Sequence, residues 1–259
     1  MQVKLRLALV TALVAGVASW GASAAAAPPE TYDDLTVLLQ RHVDERGLVD
    51  YRGWKERDEA ALRAVVTRLE GVDLAAWSDS QRDLKAYWIN VYNAVTLQAV
   101  LERFPLRSIR DAARAGETFN VWDDYPFRNG GRTWSLNQIE HELLRPMGDP
   151  RIHAAVNCAS LGCPPLRREA FVAARLDEQL DDQTRAWLND PARGVRVRDG
   201  LVALSELFSW FGDDFAPDPA GRLRWISRYL RDPAMREAVS RRGARLESIP
   251  WDWGLNQRP

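Results

Sequence analysis

Hydrophobic residues recur at helical spacing in three segments of the first half of the chain. From about residue 30 to residue 46, leucines and a valine repeat every three or four positions before a glycine. Glu56–Leu69 repeats this pattern, again before a glycine, and Gln81–Arg103 repeats it before a proline. Residues three or four positions apart share one face of a helix, and glycine or proline often follows a helix end. This pattern therefore predicts three helices.

The third predicted helix is hydrophobic on two nearly opposite sides, which is typical of a helix inside a protein core. Asn90 and Asn93 lie on one of these sides. Because a buried amide needs hydrogen-bond partners, we expect both side chains to be buried and bonded, at least one of them to backbone near Cys158 or to His141. Holding a neighbouring loop is the structural role that this predicts, and a direct catalytic role is the alternative.

The middle of the chain changes to shorter elements. Asn129-Gly130-Gly131 predicts a turn between strands in Phe119–Phe127 and Arg132–Trp134. A serine followed three residues later by a glutamine then forms a capping box, which predicts the start of a short helix. On this helix Glu140 borders the hydrophobic face and His141 points away from it.

The remainder of the chain predicts one further long helix and several strands. Side chains alternate over Arg151–Cys158, which predicts a strand. The other predicted elements are a helix over Leu176–Leu188, a hairpin of Val195–Arg198 and Leu201–Leu204, helices over Ser205–Phe211 and Arg222–Leu230, and a strand over Leu246–Trp251. The expected fold is a single α+β domain with several helices packed on a small antiparallel sheet.

The N-terminus carries the features of a secretory signal peptide. Lys4 and Arg6 precede an apolar stretch from Leu7 to Ala18, and Ala22-Ser23-Ala24 fits a cleavage site. The prediction is a signal peptide over residues 1–24, a domain over residues 25–259, and export to the periplasm or the medium. An uncleaved membrane anchor is the alternative.

The amino-acid composition limits the kinds of molecule that we expect the protein to bind. Hydrophobic residues make up 46% and charged residues 27% of the chain, as is ordinary for a globular protein with a buried core. Because 35 Lys and Arg are balanced by 36 Asp and Glu, the charge gives no support to nucleic-acid binding, which needs a basic face. No membrane contact is expected beyond the signal sequence.

The only two cysteines, Cys158 and Cys163, lie close together, shortly after one of only three histidines, His141. A nucleophilic thiol needs a base, usually an imidazole, and a third group to orient that base. The hypothesis is that Cys158 is the nucleophile and His141 its base, with Glu140, Asn90 and Asn93 as orienting groups.

The segment after Cys158 supplies the remaining candidates. Asn157 and the backbone N–H groups of residues 159–162 would polarise a substrate carbonyl, and Ser160 and Cys163 would contact the substrate. No cofactor is expected.

Three alternatives stay open for the thiols. Cys158 and Cys163 could form a disulfide, because a short turn can bring their Cα atoms within bonding range. Cys158 could also be a small buried residue beside a solvated histidine. A zinc site through both cysteines, His141 and His153 is the third, although the cysteine spacing is at the edge of that seen in structural zinc sites.

Five motifs resemble the family called domain of unknown function 547. They include Trp88-Ile89-Asn90 within residues 87–94, Glu140-His141 within residues 136–145, and Asn157-Cys158 within residues 151–167. Residues 47–51 and 251–256 resemble the family as well. The resemblance implies that Asn90, Asn93, Glu140, His141 and Cys158 are signature positions and that Cys163 is optional. The order Asn, His, Cys reverses that of papain, which suggests a permuted papain-like thiol hydrolase.

Two functions are expected from these features. The first is an exported thiol-dependent hydrolase or acyltransferase that acts on an amide or ester of a peptide or glycan-linked substrate. The alternative is a non-catalytic exported binding domain with a Cys158–Cys163 disulfide and a tryptophan-lined groove for a peptide or glycan.

Overall fold

Three long helices build the first part of the structure. The computed structural model describes residues 32–77 and 80–259, and the predicted signal peptide lies outside them. The helices are α1 (Asp33–His42), α2 (Tyr51–Glu70) and α3 (Gln81–Arg103). All three predictions are confirmed, and the bounds of α3 agree at both ends. Helix α2 begins earlier than predicted because the Asp50 carboxylate accepts the backbone N–H of Gly53 at 2.8 Å and caps its first turn.

Helix α3 lies in the core on both of its hydrophobic sides. Tyr87, Ile89 and Val91 are fully buried, and α3 packs against α2 and against the segment that follows the first hairpin. Ser80 caps its N-terminus by accepting the backbone N–H of Asp83 at 3.3 Å. The prediction of a core helix from its two-sided pattern is confirmed.

The first hairpin is shorter than predicted. Strands β1 (Phe127–Asn129) and β2 (Arg132–Trp134) pair antiparallel about the two glycines. The expectation of an extended segment from Phe119 is wrong over α4 (Val121–Asp124), because the Asn120 side chain accepts the N–H of Trp122 at 3.1 Å and starts a helical turn. The predicted capping box is present at the start of α5 (Leu136–Gln138), which continues as a π-helical segment, Ile139–Leu144.

The strand predicted over Arg151–Cys158 is wrong. Residues Ile152–Ala155 form a short helix, α6, and the chain becomes extended only at Val156. The hydrogen bonds that a strand would give to a neighbouring strand go instead to one side chain. Asn93 donates to the carbonyl of Ala155 at 2.9 Å and accepts the N–H of Asn157 at 2.8 Å. Alternation of side chains alone could not reveal this partner.

The last part of the chain forms a three-stranded sheet flanked by helices. Strands β3 (Val195–Arg198) and β4 (Leu201–Ser205) make the predicted hairpin. Strand β5 (Arg245–Ile249) pairs parallel with β4, so the prediction of a purely antiparallel sheet is wrong. A parallel pair needs a long crossover, which residues 206–244 supply. The helices are α7 (Leu176–Leu188), α8 (Leu207–Trp210), α9 (Gly212–Phe215), α10 (Pro219–Ser227) and α11 (Pro233–Ser240).

Two hydrophobic clusters stabilise this α+β fold. The first surrounds α1–α3 and includes Trp54 and Tyr87, and the second surrounds α7 and the sheet and includes Trp187 and Phe208. Short helix α6 contributes to both, so the chain leading to Cys158 runs where the two clusters meet. A papain-like arrangement is not confirmed. Across residues 32–77 and 80–259, no helix has the length and hydrophobicity needed to cross a membrane.

Candidate active site

The two cysteines close a short loop. Cys158 and Cys163 form a disulfide with their Cα atoms 6.4 Å apart. Cys163 is 3% exposed, whereas Cys158 is only partly buried. Among the alternatives for the thiols, the structure therefore shows the bridged state, with one sulfur more accessible than the other.

Asparagine side chains hold this loop in place. Asn157 is buried, donates to the carbonyl of Pro164 at 2.8 Å and accepts the N–H of Ala159 at 2.8 Å. Asn256, near the C-terminus, donates to Asn157 Oδ1 at 3.3 Å and accepts from the Tyr51 hydroxyl at 2.6 Å. The loop is thus bonded to α2, α3 and the C-terminal segment, which leaves its backbone little freedom.

The prediction for the two asparagines of α3 is confirmed. Asn93 bonds to the backbone on both sides of Val156, as described above, and is 6% exposed. Asn90 donates to the carbonyl of Phe171 at 2.7 Å and accepts its N–H at 2.9 Å. Each amide satisfies one buried backbone donor and one buried acceptor, which is a positioning role and not a contact with a reacting group.

Two residues of the loop show how tightly it is packed. Ala159 adopts φ 59°, a left-handed conformation that costs about 1–2 kcal/mol for a residue with a Cβ. At Gly162 a Cβ would lie 2.7 Å from the indole of Trp251, so only glycine fits there. Non-glycine residues with a left-handed backbone, such as Ala159, cluster at functional sites.

Three of the four backbone N–H groups predicted as oxyanion donors are already bonded within the protein. The N–H of Ala159 bonds to Asn157, that of Leu161 to the Gly254 carbonyl at 2.8 Å, and that of Gly162 to the Asp252 carbonyl at 2.8 Å. These bonds speak against the expectation for Asn157 and for residues 159, 161 and 162, whose groups are engaged within the protein, whereas the expectation for the N–H of Ser160 stays a prediction.

Polar donors point at the sulfurs instead. Ser160 Oγ lies 3.0 Å from Cys158 Sγ and 3.4 Å from Cys163 Sγ. The indole N–H of Trp251 donates to the same oxygen at 3.1 Å. The backbone N–H of Cys158 donates to Cys163 Sγ at 3.1 Å. Ser160 is thus placed beside both sulfurs, and its expected contact with a substrate stays a prediction.

The π-helical segment presents Glu140 and His141 to opposite environments. The carbonyl of Glu140 accepts the backbone N–H of Arg145, five residues on, and such a segment is frequent at functional sites. Glu140 is 9% exposed, whereas His141 is exposed. These two positions agree with the expected placement of both residues on the helix.

A series of contacts between titratable side chains connects the two histidines of this region. His153 is buried, its Nε2 lies 2.8 Å from Asp214 Oδ2, and its Nδ1 lies 3.8 Å from Glu140 Oε1. Arg145 forms a two-pronged ion pair with Asp214 at 2.7 and 2.9 Å and reaches His141 Nδ1 at 2.9 Å. The order of contacts is Glu140, His153, Asp214, Arg145, His141.

Burial sets the protonation states in this series of side chains. It raises the pKa of Glu140 from 4.5 to about 7, against smaller opposing effects of Tyr92 and Arg145. Burial also lowers the pKa of His153, which the carboxylate of Asp214 only partly offsets, and it lowers the pKa of His141. Hydrogen bonds from Arg145 lower the pKa of Asp214. Near neutral pH both histidines are neutral, Asp214 is ionised, and Glu140 is close to half protonated.

A cavity of about 190 Å³ lies where these groups meet. Glu140, His141, His153, Cys158 and Cys163 all line it, so the predicted nucleophile and the predicted base share one site. Aromatic side chains form most of the remaining wall: Tyr92, Trp122, Trp210, Phe211, Trp251 and Trp253. Trp210 is 46% exposed and packs 4.7 Å from Trp251 between ring centroids.

Residues 75–188 match the model of the family described as Protein of unknown function, DUF547. Residues 75–188 thus form a segment of this family. Comparison with curated proteins and with solved structures found no match to the chain. The family match agrees with the resemblance of the motifs and assigns no activity.

The segment that matches the DUF547 family holds only part of the cavity. It contains the π-helical segment, His153 and the disulfide loop. Asp214, Trp210 and Trp251 come from later in the chain, beyond residue 188. The C-terminal elements therefore complete the cavity that the matched segment begins.

Sequence reasoning missed Asp214 and Arg145 and considered His153 only as a zinc ligand. In the part of the chain that the structure describes, no group of three or more His, Cys, Asp or Glu is arranged to hold a metal ion. The signal for His153 was its position five residues before Cys158. No comparable signal pointed to Asp214, which lies 61 residues after His153.

Proposed function

We propose that the aromatic cavity is the active site of a thiol-dependent hydrolase or acyltransferase, in which Cys158 is the nucleophile once the disulfide is reduced. The observation that carries the proposal is the convergence of Cys158, Glu140 and His141 on one cavity. A nucleophile needs an acid or base beside it, and both kinds of group line this cavity.

Cys158 is the better nucleophile of the pair. It is the more accessible of the two sulfurs, and a hydroxyl at 3.0 Å would stabilise its thiolate. A reduced Cys158 would attack the carbonyl carbon of an amide or ester, form a thioester and release the amine or alcohol. Water or a second acceptor would then take the acyl group and regenerate the thiol.

In the proposed reaction Glu140, and not His141, accepts and donates the proton. Arg145 can only donate hydrogen bonds, so His141 Nδ1 must accept and Nε2 must carry the proton of the neutral ring. In this conformation His141 has no free lone pair with which to act as a base, and its Nε2–H can hydrogen-bond a substrate. A carboxyl with a pKa of about 7 can both accept and donate a proton at neutral pH.

The cavity wall favours an acyl group that is small and apolar or aromatic. Its volume of about 190 Å³ is below the roughly 300–1,000 Å³ typical of drug-sized ligands. The exposed Trp210 at its rim would contact the rest of a peptide or glycan-linked substrate outside. The apolar N-terminal stretch with its Ala-rich cleavage motif supports export of the enzyme.

The proposal is tested by thiol labelling and ester turnover. After reduction, Cys163→Ser should be labelled at Cys158 by an electrophilic probe and should hydrolyse small aromatic thioesters, whereas Cys158→Ser should do neither. Glu140→Gln should keep the labelling but lose turnover at least about tenfold, within the range of general acid–base catalysis. Equal activity in the two cysteine variants would exclude Cys158 as the nucleophile.

A second candidate, a non-catalytic binding cavity, is favoured by one observation. The cysteines are bridged, and four tryptophans stand side by side at the cavity, with Trp210 stacked on Trp253 at 6.2 Å. Stacked, partly exposed indoles suit the apolar faces of sugars and aromatic side chains. Binding of a peptide or glycan by the oxidised protein, lost in Trp210→Ala and unchanged on reduction, would favour this candidate.

A further inference from the structure

The disulfide is asymmetric in its surroundings. Both sulfurs line the cavity, but Cys163 is 3% exposed and Cys158 is partly exposed. A thiolate that attacks a disulfide must approach one sulfur and expel the other. Access from the cavity therefore favours attack on Cys158 Sγ, with Cys163 Sγ as the sulfur that leaves.

Hydrogen-bond donors lie next to Cys163 Sγ, the sulfur that would leave. The backbone N–H of Cys158 points at Cys163 Sγ from 3.1 Å, and Ser160 Oγ lies 3.4 Å away. Because the Trp251 indole N–H already donates to Ser160 Oγ, the hydroxyl hydrogen is left to point at a sulfur. Donors fixed in this way stabilise a thiolate, and a more stable leaving thiolate departs faster.

The neighbours of Ser160 are fixed before any reaction. Ser160 is fully buried, and the next two residues, Leu161 and Gly162, donate backbone hydrogen bonds to the carbonyls of Gly254 and Asp252. The donors therefore remain in place when the disulfide opens. A disulfide that only braced the fold would need neither an approach from a cavity nor a backbone N–H directed at the sulfur that leaves, with a hydroxyl beside both sulfurs.

From this geometry we infer that the Cys158–Cys163 pair is a redox-active disulfide that exchanges with low-molecular-weight thiols. A thiolate from the cavity bonds to Cys158 Sγ, the disulfide bond breaks, and Cys163 leaves as a thiolate. A second molecule of the thiol then attacks the mixed disulfide and releases Cys158. Two thiols are oxidised to one small disulfide, the protein disulfide is reduced to a dithiol, and two protons pass from the thiols to the two cysteines through solvent.

The size of the cavity selects the kind of thiol. About 190 Å³ holds one group of amino-acid size beside the sulfur, and aromatic rings surround that space. The thiol-bearing part of a small, flexible thiol such as glutathione can enter it, whereas a cysteine on a folded protein surface would have to bring the surrounding protein past Trp210. Exchange needs no acyl substrate, so this activity stands independently of the proposed hydrolysis.

The test uses the full mature chain and reduced glutathione as the probe. Oxidised protein is mixed with glutathione, quenched with an alkylating agent at short times, and mapped by peptide mass spectrometry. We expect a transient glutathione adduct on Cys158, alkylated Cys163 in the same molecule, and loss of the disulfide without unfolding in circular dichroism. An adduct mainly on Cys163, or reduction only after denaturation, would overturn the inference.

Two further variants separate the donor effect from a general loss of structure. Ser160→Ala should slow reduction by glutathione about tenfold, the order expected for one hydrogen bond to a charged group. Trp251→Phe keeps a ring but removes the N–H and should slow it less. Ser209→Ala, at an exposed serine outside the loop, is the matched control and should react like the unchanged protein.

The choice of a small thiol is tested in parallel. Reduced thioredoxin, a folded protein with an accessible thiol, is compared with glutathione at equal thiol concentration. Faster reduction by glutathione supports access through the cavity. Reduction by thioredoxin with no reaction toward glutathione would show that the partner is a protein and would overturn the stated class of thiol. Hydrolysis assays on the same samples keep a failure of this inference distinct from a failure of the proposed enzyme function.

Discussion

Glu140→Gln should change how the stability of the protein depends on pH. Glu140 is 9% exposed and faces Tyr92, His153, Arg145 and Asp214. Burial holds its pKa near 7 in the folded chain, against 4.5 when it is solvated. Glutamine has nearly the same shape as the protonated carboxyl but cannot ionise, so the substitution removes one titration and little packing.

The direction in which stability changes with pH follows from how many protons the folded and unfolded chains bind. Between pH 4.5 and about 7 the folded chain holds more of the Glu140 proton than the unfolded chain does, so the free energy of unfolding falls as pH rises through this window. The difference between the two pKa values corresponds to about 3 kcal/mol. Relative to the unchanged protein, Glu140→Gln should therefore gain about 3 kcal/mol of stability on going from pH 4.5 to pH 8.

Urea unfolding at several pH values measures this directly, with the disulfide kept oxidised. Other titrating groups cancel because they are common to both proteins. Glu142→Gln is the matched control, since Glu142 is an exposed glutamate on the same helical segment. If the stability difference between Glu140→Gln and the unchanged protein varies by less than about 1 kcal/mol over this range, the carboxyl is not held protonated in the cavity.

Three shorter predictions concern the disulfide loop. Asn93→Ala leaves the N–H of Asn157 and the carbonyl of Ala155 buried without partners, and it should cost about 2–4 kcal/mol in chemical denaturation. Ala159→Gly should raise stability by up to about 1 kcal/mol, because glycine adopts φ 59° without strain, and a loss would show that the Cβ contributes packing. The disulfide joins cysteines that are only 5 residues apart, so its reduction should lower the free energy of unfolding by about 2 kcal/mol. The melting temperature should then fall by less than about 8 °C, which calorimetry with and without reductant can check.

The long helices could be predicted from the sequence because their signals are local. Helix α3 has a serine cap, a continuous periodic pattern and a proline beyond its end, and its bounds agree with the prediction. Residues 151–158 illustrate the limit. Their alternating side chains suit a strand, but the backbone bonds to Asn93, which lies 62 residues earlier than Ala155. The parallel pairing of β5 with β4 was equally hidden, because it depends on how residues 206–244 fold back.

Some residues of the candidate site could likewise be predicted from the sequence, and others could not. Cys158, His141 and Glu140 could be recognised because they are rare or lie in motifs, and all three line one cavity. Asp214 could not, since it is one acidic residue among 36 and its role depends on contacts with His153 and Arg145 from distant segments. The roles of the loop N–H groups were also out of reach, because only the fold shows which carbonyls already occupy them.

The division of roles around the cavity follows from which groups are already bonded. Asn93 and Asn157 hydrogen-bond to backbone at the disulfide loop, and Asn90 bonds to the backbone of Phe171, so all three amides position backbone. His141 is committed to Arg145 through Nδ1. Glu140 makes no ion pair closer than the 3.8 Å approach of His153, and Cys158 has the more accessible sulfur. The groups of the proposed site that remain able to react are therefore a carboxyl and, once the disulfide is reduced, a sulfur that line one cavity; the first can move protons and the second can form a covalent bond.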